Sequence, residues 1–389
     1  MEKKKIIAVT GIRSEYDILY PILNELNIQG YQVDIVVSGA HLSEHHGMTV
    51  NSIIEDGFNI IERIDTIFVT SRLVQRPKSV GILTNSLSQV VERENPDFLL
   101  VVGDREESIA TAIVGNYMNK LVVHIGGGDS VYGNADDPIR FSVSKLAHLH
   151  CCIAKEYAEN LINIREERFR VFWTGNPSYS NIANIDNINI DNLSKMINID
   201  LTDKPYVVMI KHPLSSEVSD AYKQMKLSLE SLDIFCKKHD FRALIISPNS
   251  DPGSEEMLSA ASKYLDSNEL FLLETLPRNI FINLIRNTRA LIGNSSMGIL
   301  EAPFYKIPVI NIGNRQKGRL NAGNVEFVQY DKKNIIKHLE KACLDKKYRE
   351  EIKNLSNPFG SENAAKNIVD VINNVDLSDD KWLIKTKLC

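Results

Sequence analysis

The sequence predicts an α/β protein of two doubly wound domains, each a parallel sheet flanked by helices. Three observations predict it. Short β-branched apolar runs recur along the chain, amphipathic stretches separate them, and the low-complexity segment Asn184-Ile-Asp-Asn-Ile-Asn-Ile-Asp-Asn parts them into two sets. Apolar runs that alternate with helices mark strands buried on both faces of a parallel sheet. A length of 389 residues suits two domains with ample cores.

In the first set the strands read Lys5-Ile-Ile-Ala-Val-Thr, Val33-Asp-Ile-Val-Val-Ser, Phe98-Leu-Leu-Val-Val, Leu121-Val-Val-His-Ile and His150-Cys-Cys-Ile-Ala. In the second they read Tyr206-Val-Val-Met-Ile, Ala243-Leu-Ile-Ile-Ser, Leu270-Phe-Leu-Leu, Ala290-Leu-Ile and Val309-Ile-Asn-Ile. The expected domains are residues 1–178 and 190–360. A helical pattern over 361–376 suggests that 361–389 crosses back to the first domain. Two such domains facing each other would bind a ligand in the cleft between them, at the carboxyl ends of the strands.

Composition narrows the class. The chain is 43% hydrophobic and 24% charged, with a net charge of -5, which is ordinary for a globular protein and offers no broad surface for nucleic acid. The basic start is followed only by Ile6-Ile-Ala-Val, too short for a signal-peptide core or a membrane span. Cys151, Cys152, Cys236, Cys343 and Cys389 form no C-x-x-C pair and no zinc spacing, which predicts reduced thiols in the cytoplasm.

The most informative stretch follows the run ending at Ile292. Gly293-Asn-Ser-Ser-Met-Gly-Ile-Leu-Glu-Ala-Pro reads as a tight turn opening a helix. Free N–H groups and the positive dipole end at such a start can hold a phosphate, and Ser295 and Ser296 add hydroxyls. Glu301, about one and a half turns into that helix, could accept both hydroxyls of a ribose. The same residue types also make an ordinary helix cap.

Other polar loops follow strands. Thr10-Gly11-Ile12-Arg13 places a guanidinium where it can clamp a phosphate, or on a solvated surface; it is neither a P-loop nor a dinucleotide fingerprint. Gly103-Asp104-Arg105 sets an acid beside a base at a strand end, where an Asp also caps helices. His124-Ile-Gly-Gly-Gly-Asp129 allows close backbone approach, or simply turns. Asp136-Asp137-Pro138-Ile-Arg140 opens a helix, with Asp137 as a cap and Asp136 available for chemistry. Several carboxylates in one cleft can divide base and acid roles between them. His41-Leu-Ser-Glu-His45-His46 lacks a matching third metal ligand and reads as a loop over the cleft, while His148 and His150 read as helix-end residues. In the second half Lys211-His212-Pro213, Asn249-Ser-Asp251-Pro-Gly253 and Gly313-Asn-Arg315-Gln316 follow strands, and His212 and Arg315 suit a diphosphate.

Taken in order over roughly residues 5–320, these segments resemble the hydrolysing UDP-N-acetylglucosamine 2-epimerases of the sialic-acid pathway type. The resemblance implies the GT-B architecture, two Rossmann-like domains with an interdomain cleft. It implies loss of the sugar C2 proton, anti elimination of UDP to a 2-acetamidoglucal, and addition of water to give a ManNAc-type sugar. It assigns catalysis to Asp104 and Asp136, with Arg105 beside them. Arg13, His212, Ser295, Ser296 and Arg315 would hold the diphosphate, with Asn249 in an adjoining loop. Glu301 would hold the ribose, and the region from Leu276 to Phe281 the uracil. No metal or nicotinamide cofactor is expected, the partner is a UDP-sugar rather than nucleic acid or membrane, and the family suggests a homodimer or homotetramer.

The chain departs from the family pattern at three points. Gly126 stands where a catalytic Glu is usual, Asp129 where a further Glu often follows the glycines, and Phe141 where a His is usual. Asp129 could supply the lost carboxylate, with Gly126 making room. An apolar ring suits a methyl better than a hydroxymethyl, so Phe141 suggests a 6-deoxy substrate, the UDP-linked 2,4-diacetamido-2,4,6-trideoxyglucose used for legionaminic acid. The alternatives are a non-hydrolysing epimerase or glycosyltransferase on the same fold, and a nucleotide-sugar binding protein without catalysis.

Overall fold

Strand β1 (Lys5–Thr10) buries Ile6 and Ala8 in one apolar cluster and Ile7 and Val9 in another, so the sheet it belongs to is covered on both faces. The computed structural model describes residues 3–44, 47–67, 74–130, 136–248, 252–263, 268–274 and 276–386, without the side chains of Asp136 and Ser215. The chain divides into two compact units, one built from Met1–Ser130, Ala135–Ala183 and Phe359–Cys389, the other from Asn184–Pro358.

The first unit continues with β2 (Gln32–Ser38), β3 (Asn59–Ile64), β4 (Phe98–Val102), β5 (Leu121–Ile125), β6 (Leu149–Cys152) and β7 (Val171–Trp173). All pairings are parallel, in the order β3-β2-β1-β4-β5-β6-β7. The order reverses between β1 and β4, the switch point where doubly wound sheets bind ligands. The helix Ala364–Asn373 belongs to this unit. Its Ala365, Ile368, Val369 and Ile372, at helical spacing, join the cluster that holds Ile6 and Ala8.

The second unit holds β8 (Tyr206–Ile210), β9 (Arg242–Ile246), β10 (Leu270–Leu273), β11 (Leu291–Gly293), β12 (Val309–Ile312) and β13 (Val325–Val328). They are again all parallel, in the order β10-β9-β8-β11-β12-β13, with the switch point between β8 and β11. Val207 and Met209 face one cluster, Tyr206, Val208 and Ile210 the other.

Three strands were not expected from the sequence: β3, β7 and β13, all at sheet edges. Two local expectations also change. His150 lies inside β6 and His148 just before it, so neither is a helix-end residue. Met297–Leu300 and Ala302–Tyr305 are two short helices rather than one, and Glu301 sits at their joint. Pro303 lacks the N–H that would continue the first. Among the described residues no helix is long and apolar enough to cross a membrane, and no cluster of His, Cys, Asp and Glu could hold a metal ion.

Candidate functional site

At the first switch point the chain gathers acids around one base. Arg140, on the helix Asp136–Leu146, reaches two loops: Nη2 donates to Asp104 Oδ2 beyond β4, and Nη1 lies 3.2 Å from Asp129 Oδ2 beyond β5. The Asp129 side chain is 2% exposed. Burial alone would lower the Arg140 pKa, but Asp104 and Asp129 outweigh it and hold it above its ordinary value. Asp137 accepts a 2.9 Å hydrogen bond from Ser130 Oγ, which ties the helix start to the loop after Asp129. Asp136 is the first residue of this helix.

His124 braces the group from behind. Its Nε2 lies 2.7 Å from the Gly103 carbonyl and its Nδ1 3.0 Å from Ser144 Oγ. A carbonyl only accepts, so Nε2 carries the proton and donates. Burial drives the pKa of His124 down to about 3, which keeps it neutral. It therefore fixes the turn that presents Asp104 and joins that turn to the Arg140 helix.

The other predicted residues of this unit are dispersed. Arg105 stands at the start of the helix Glu106–Tyr117, 42% exposed, with Nε 3.9 Å from Glu106. Arg13 opens the helix Arg13–Ile28, with Nε 3.6 Å from Asp17. Phe141 lines an open apolar groove of about 540 Å³ with Pro138, Ser142, Lys145, Leu146 and Ile164. His45 and His46 lie outside the described residues, while His41 is buried between Thr10 Oγ1, 3.1 Å away, and Thr49 Oγ1, at 2.7 Å. Burial lowers its pKa to about 4.

Sequence reasoning missed a buried acid pair beside the same turn. Glu15 Oε2 accepts from the Gly11 N–H at 3.0 Å, and Glu107 Oε1 accepts from Ser38 Oγ at 2.9 Å. Burial, and for Glu15 also the charge of Glu107, raises both carboxyls above the usual range. A Cβ at position 11 would stand 1.9 Å from Glu107 Oε1, so Gly11 is what admits that carboxyl. Gly11 and Glu107 lie far apart in sequence, so no local signal marks the pair and only the fold brings the two together.

The second switch point is organised by Asn294. Its Oδ1 accepts from the His212 N–H at 2.7 Å and its Nδ2 donates to the His212 carbonyl at 2.8 Å. Its own carbonyl accepts from Arg315 Nη1 at 3.2 Å and Gln316 Nε2 at 3.1 Å. One asparagine thus joins the loops after β8, β11 and β12, bringing His212, Ser295, Ser296 and Arg315 to one end of the sheet. Gly293 is required before it: φ is +132°, and a Cβ would meet the Ile210 carbonyl oxygen at 2.0 Å. Leu276 and Phe281 are half-buried against the adjoining apolar cluster. Asn249 and Asp251 lie outside the described residues.

Behind these loops a polar chain runs inward. Lys211 is buried, and its Nζ donates to Tyr330 Oη at 2.8 Å. Tyr330 donates to Gln224, also at 2.8 Å, and Gln224 donates to Glu217 at 2.6 Å. Glu217 also accepts from Asn314 at 3.0 Å, next to Arg315. Burial, with a smaller push from Arg315, lowers the Lys211 pKa to about 7 against the opposing effect of Glu217.

Two Rossmann-like parallel-sheet units, each with a switch point in its strand order, define a protein of the GT-B type. The family profile described as UDP-N-acetylglucosamine 2-epimerase matches residues 24–373, and the chain belongs to that family. It is 33% identical to the GDP/UDP-N,N'-diacetylbacillosamine 2-epimerase (hydrolyzing) of Campylobacter jejuni, over 84% of each chain. It is 31% identical to the UDP-N,N'-diacetylbacillosamine 2-epimerase (hydrolyzing) of Legionella pneumophila, over 87% of this chain and 89% of that one. The crystal structure of UDP-GlcNAc 2-epimerase from Neisseria meningitidis bound to UDP-GlcNAc shares the fold, with a TM-score of 0.82 and 20% identity over 95% of this chain and 100% of that one.

Proposed function

We propose that the protein is a hydrolysing 2-epimerase whose substrate is a UDP-linked 2,4-diacetamido-2,4,6-trideoxyglucose, the sugar nucleotide UDP-N,N'-diacetylbacillosamine. The observation that carries this reading is the Arg140 bridge between Asp104 and Asp129, in a chain 33% and 31% identical to two hydrolysing epimerases named for that substrate. In the reaction a carboxylate takes the C2 proton. The C1–O bond then breaks, its electron pair leaves with UDP, and a C1–C2 double bond forms. Water next adds oxygen to C1, and a proton returns to C2 on the opposite face. The net change is UDP-sugar and water to UDP and the epimerised free sugar.

Asp104, Asp129 and Asp136 divide the base and acid roles, and Arg105 adds positive charge. Arg140 provides fixed positive charge that favours the departing anionic diphosphate, while the carboxylates stabilise the oxocarbenium-like centre. His124, neutral at working pH, orients rather than titrates. Arg13, His212, Ser295, Ser296 and Arg315 hold the diphosphate, Glu301 the ribose, Leu276 and Phe281 the uracil, with Asn249 in the adjoining loop. The enzyme works in the cytoplasm as a homodimer or homotetramer.

A second reading takes UDP-GlcNAc as the substrate and ManNAc as the product. It is favoured by 26% identity, over 95% of each chain, to the UDP-N-acetylglucosamine 2-epimerase of Neisseria meningitidis. The test is a product assay in deuterated water, followed by proton NMR, with each UDP-sugar separately. Free UDP and a manno-configured sugar carrying deuterium at C2 are expected, faster from the diacetamido substrate. A clear preference for UDP-GlcNAc would select the second reading. Recovery of both substrates without deuterium at C2 would overturn catalysis of this kind.

A further inference from the structure

The helix Asp136–Leu146 ends with carbonyls that have no partner within the helix, as every helix does, and one side chain from far along the chain collects them. Lys385 Nζ donates to the carbonyls of Ala147 at 2.8 Å, Lys145 at 2.9 Å and Ser144 at 3.2 Å. It also pairs with Glu166 Oε2 at 2.6 Å, and the Lys385 side chain is 7% exposed. A cation at a helix C-terminus is the favourable end of the dipole interaction.

The segment carrying Lys385 is itself pinned. Arg170, fully buried at the end of a short turn before β7, donates Nη1 to the Trp382 carbonyl at 2.6 Å and Nη2 to the Ile384 carbonyl at 2.7 Å, and to that of Lys381. Trp382 packs edge-on against Phe169, with ring centroids 5.5 Å apart. Thr386 Oγ1 donates to Glu167 at 2.7 Å.

The capped end connects directly to the acids. Lys385 holds the Ser144 carbonyl, Ser144 Oγ meets His124 Nδ1, His124 Nε2 donates to Gly103, and Gly103 precedes Asp104, which Arg140 of the same helix binds. We infer that residues 379–386 form a strap that sets the position of the Arg140 helix, with Lys385 as its positioning residue. This rests on the epimerase reading for its kinetic consequence, but not for its structural one. Lys385 touches no reacting atom. It governs where Arg140 and the Asp104 turn stand, and small misplacements of such groups cost rate rather than nucleotide affinity.

The test compares Lys385→Met, Lys385→Arg and the wild-type full chain. Lys385→Met should lower kcat per UDP-binding site by about tenfold to a hundredfold. KM for the UDP-sugar and the affinity for UDP should stay within about twofold, because neither the strap nor the helix it caps carries a residue proposed to hold UDP. Amide hydrogen exchange over 136–147 should quicken, and Lys385→Arg, which keeps a cation there, should restore both readouts. Lys385→Met leaves the buried Glu166 without this partner, so a Lys385→Met, Glu166→Gln double variant, with Glu166→Gln alone as control, serves if the single variant does not fold. Unchanged kcat together with unchanged exchange over 136–147 would overturn the proposal. If the wild type itself turns over neither UDP-sugar, the epimerase reading fails. Exchange over 136–147 then decides the strap alone: faster exchange supports it and unchanged exchange overturns it.

Discussion

Lys211 offers the sharpest quantitative prediction. It is 1% exposed, and burial lowers its pKa from 10.5 to about 7. At ~1.36 kcal/mol per unit, that drop makes keeping the charge in the fold cost about 5 kcal/mol. The unfolded chain holds the Lys211 proton up to its ordinary pKa of 10.5, whereas the folded chain releases it near 7. Between those values the unfolded state binds more protons, so stability rises with pH by up to about 1.36 kcal/mol per unit. Below pH 7 the penalty is fully present. Lys211→Met removes the penalty and also one hydrogen bond to Tyr330, worth about 1 kcal/mol. The variant should therefore exceed the wild type by roughly 3–4 kcal/mol at pH 6, with the advantage shrinking steadily toward pH 10. Urea denaturation of both proteins at several pH values reads this directly, because groups common to both cancel in the difference. A difference that does not vary with pH would refute the reasoning. If UDP binds as proposed, with its diphosphate beside Arg315, binding should take up protons near pH 7.5, because the anion opposes the charge that helps keep Lys211 neutral; calorimetry in two buffers of unlike ionisation enthalpy measures the uptake.

Other substitutions separate the roles of neighbouring groups. Arg140→Met leaves Asp104 and Asp129 without their shared guanidinium, a change expected to cost about 3 kcal/mol in urea unfolding and to abolish turnover while UDP still binds. Gly293→Ala drives a Cβ into the Ile210 carbonyl oxygen at 2.0 Å; backbone cannot yield there, so UDP titration should show lost binding and the melting temperature should fall. Gly126→Glu is the milder change. A Cβ there meets nothing within 4 Å, but φ is +79°, so the cost should be about 1–2 kcal/mol in thermal or urea unfolding. In a competition assay the variant should gain on UDP-GlcNAc relative to the diacetamido substrate, and an unchanged ratio would remove position 126 from the specificity argument.

The inner strands were legible because burial on both faces demands apolar residues in succession. Phe98-Leu-Leu-Val-Val and Tyr206-Val-Val-Met-Ile satisfy that demand and announce themselves. β3, β7 and β13 do not, because an edge strand is partly solvated. β3 carries Glu62 and Arg63, β13 carries Glu326, and Trp173 of β7 is 52% exposed. The places of Asp104 and Asp129 just beyond strands were legible for a related reason, since each follows an apolar run. The supporting groups were not legible. Tyr330 and Lys385 lie far in sequence from what they hold, and no local pattern distinguishes them from solvated residues.

The two units solve one physical problem in the same way. A loop at a strand end must be held still, although the ladder reaches only its first residue, as in the Gly103 N–H to the Ile125 carbonyl and the Asn294 N–H to the Ile210 carbonyl. In the second unit Asn294 does this by presenting both an acceptor and a donor to His212 while its carbonyl holds Arg315 and Gln316. In the first, neutral His124 does it by donating to Gly103 and meeting Ser144. Each is a buried side chain with both a donor and an acceptor, and each spans from one strand end to a neighbouring element. His124→Asn tests this, since it keeps a donor and an acceptor but shortens the reach. The fold should survive and UDP should bind normally, while turnover falls with Asp104 misplaced. Turnover equal to wild type would mean that the Asp104 turn holds its own position without the imidazole.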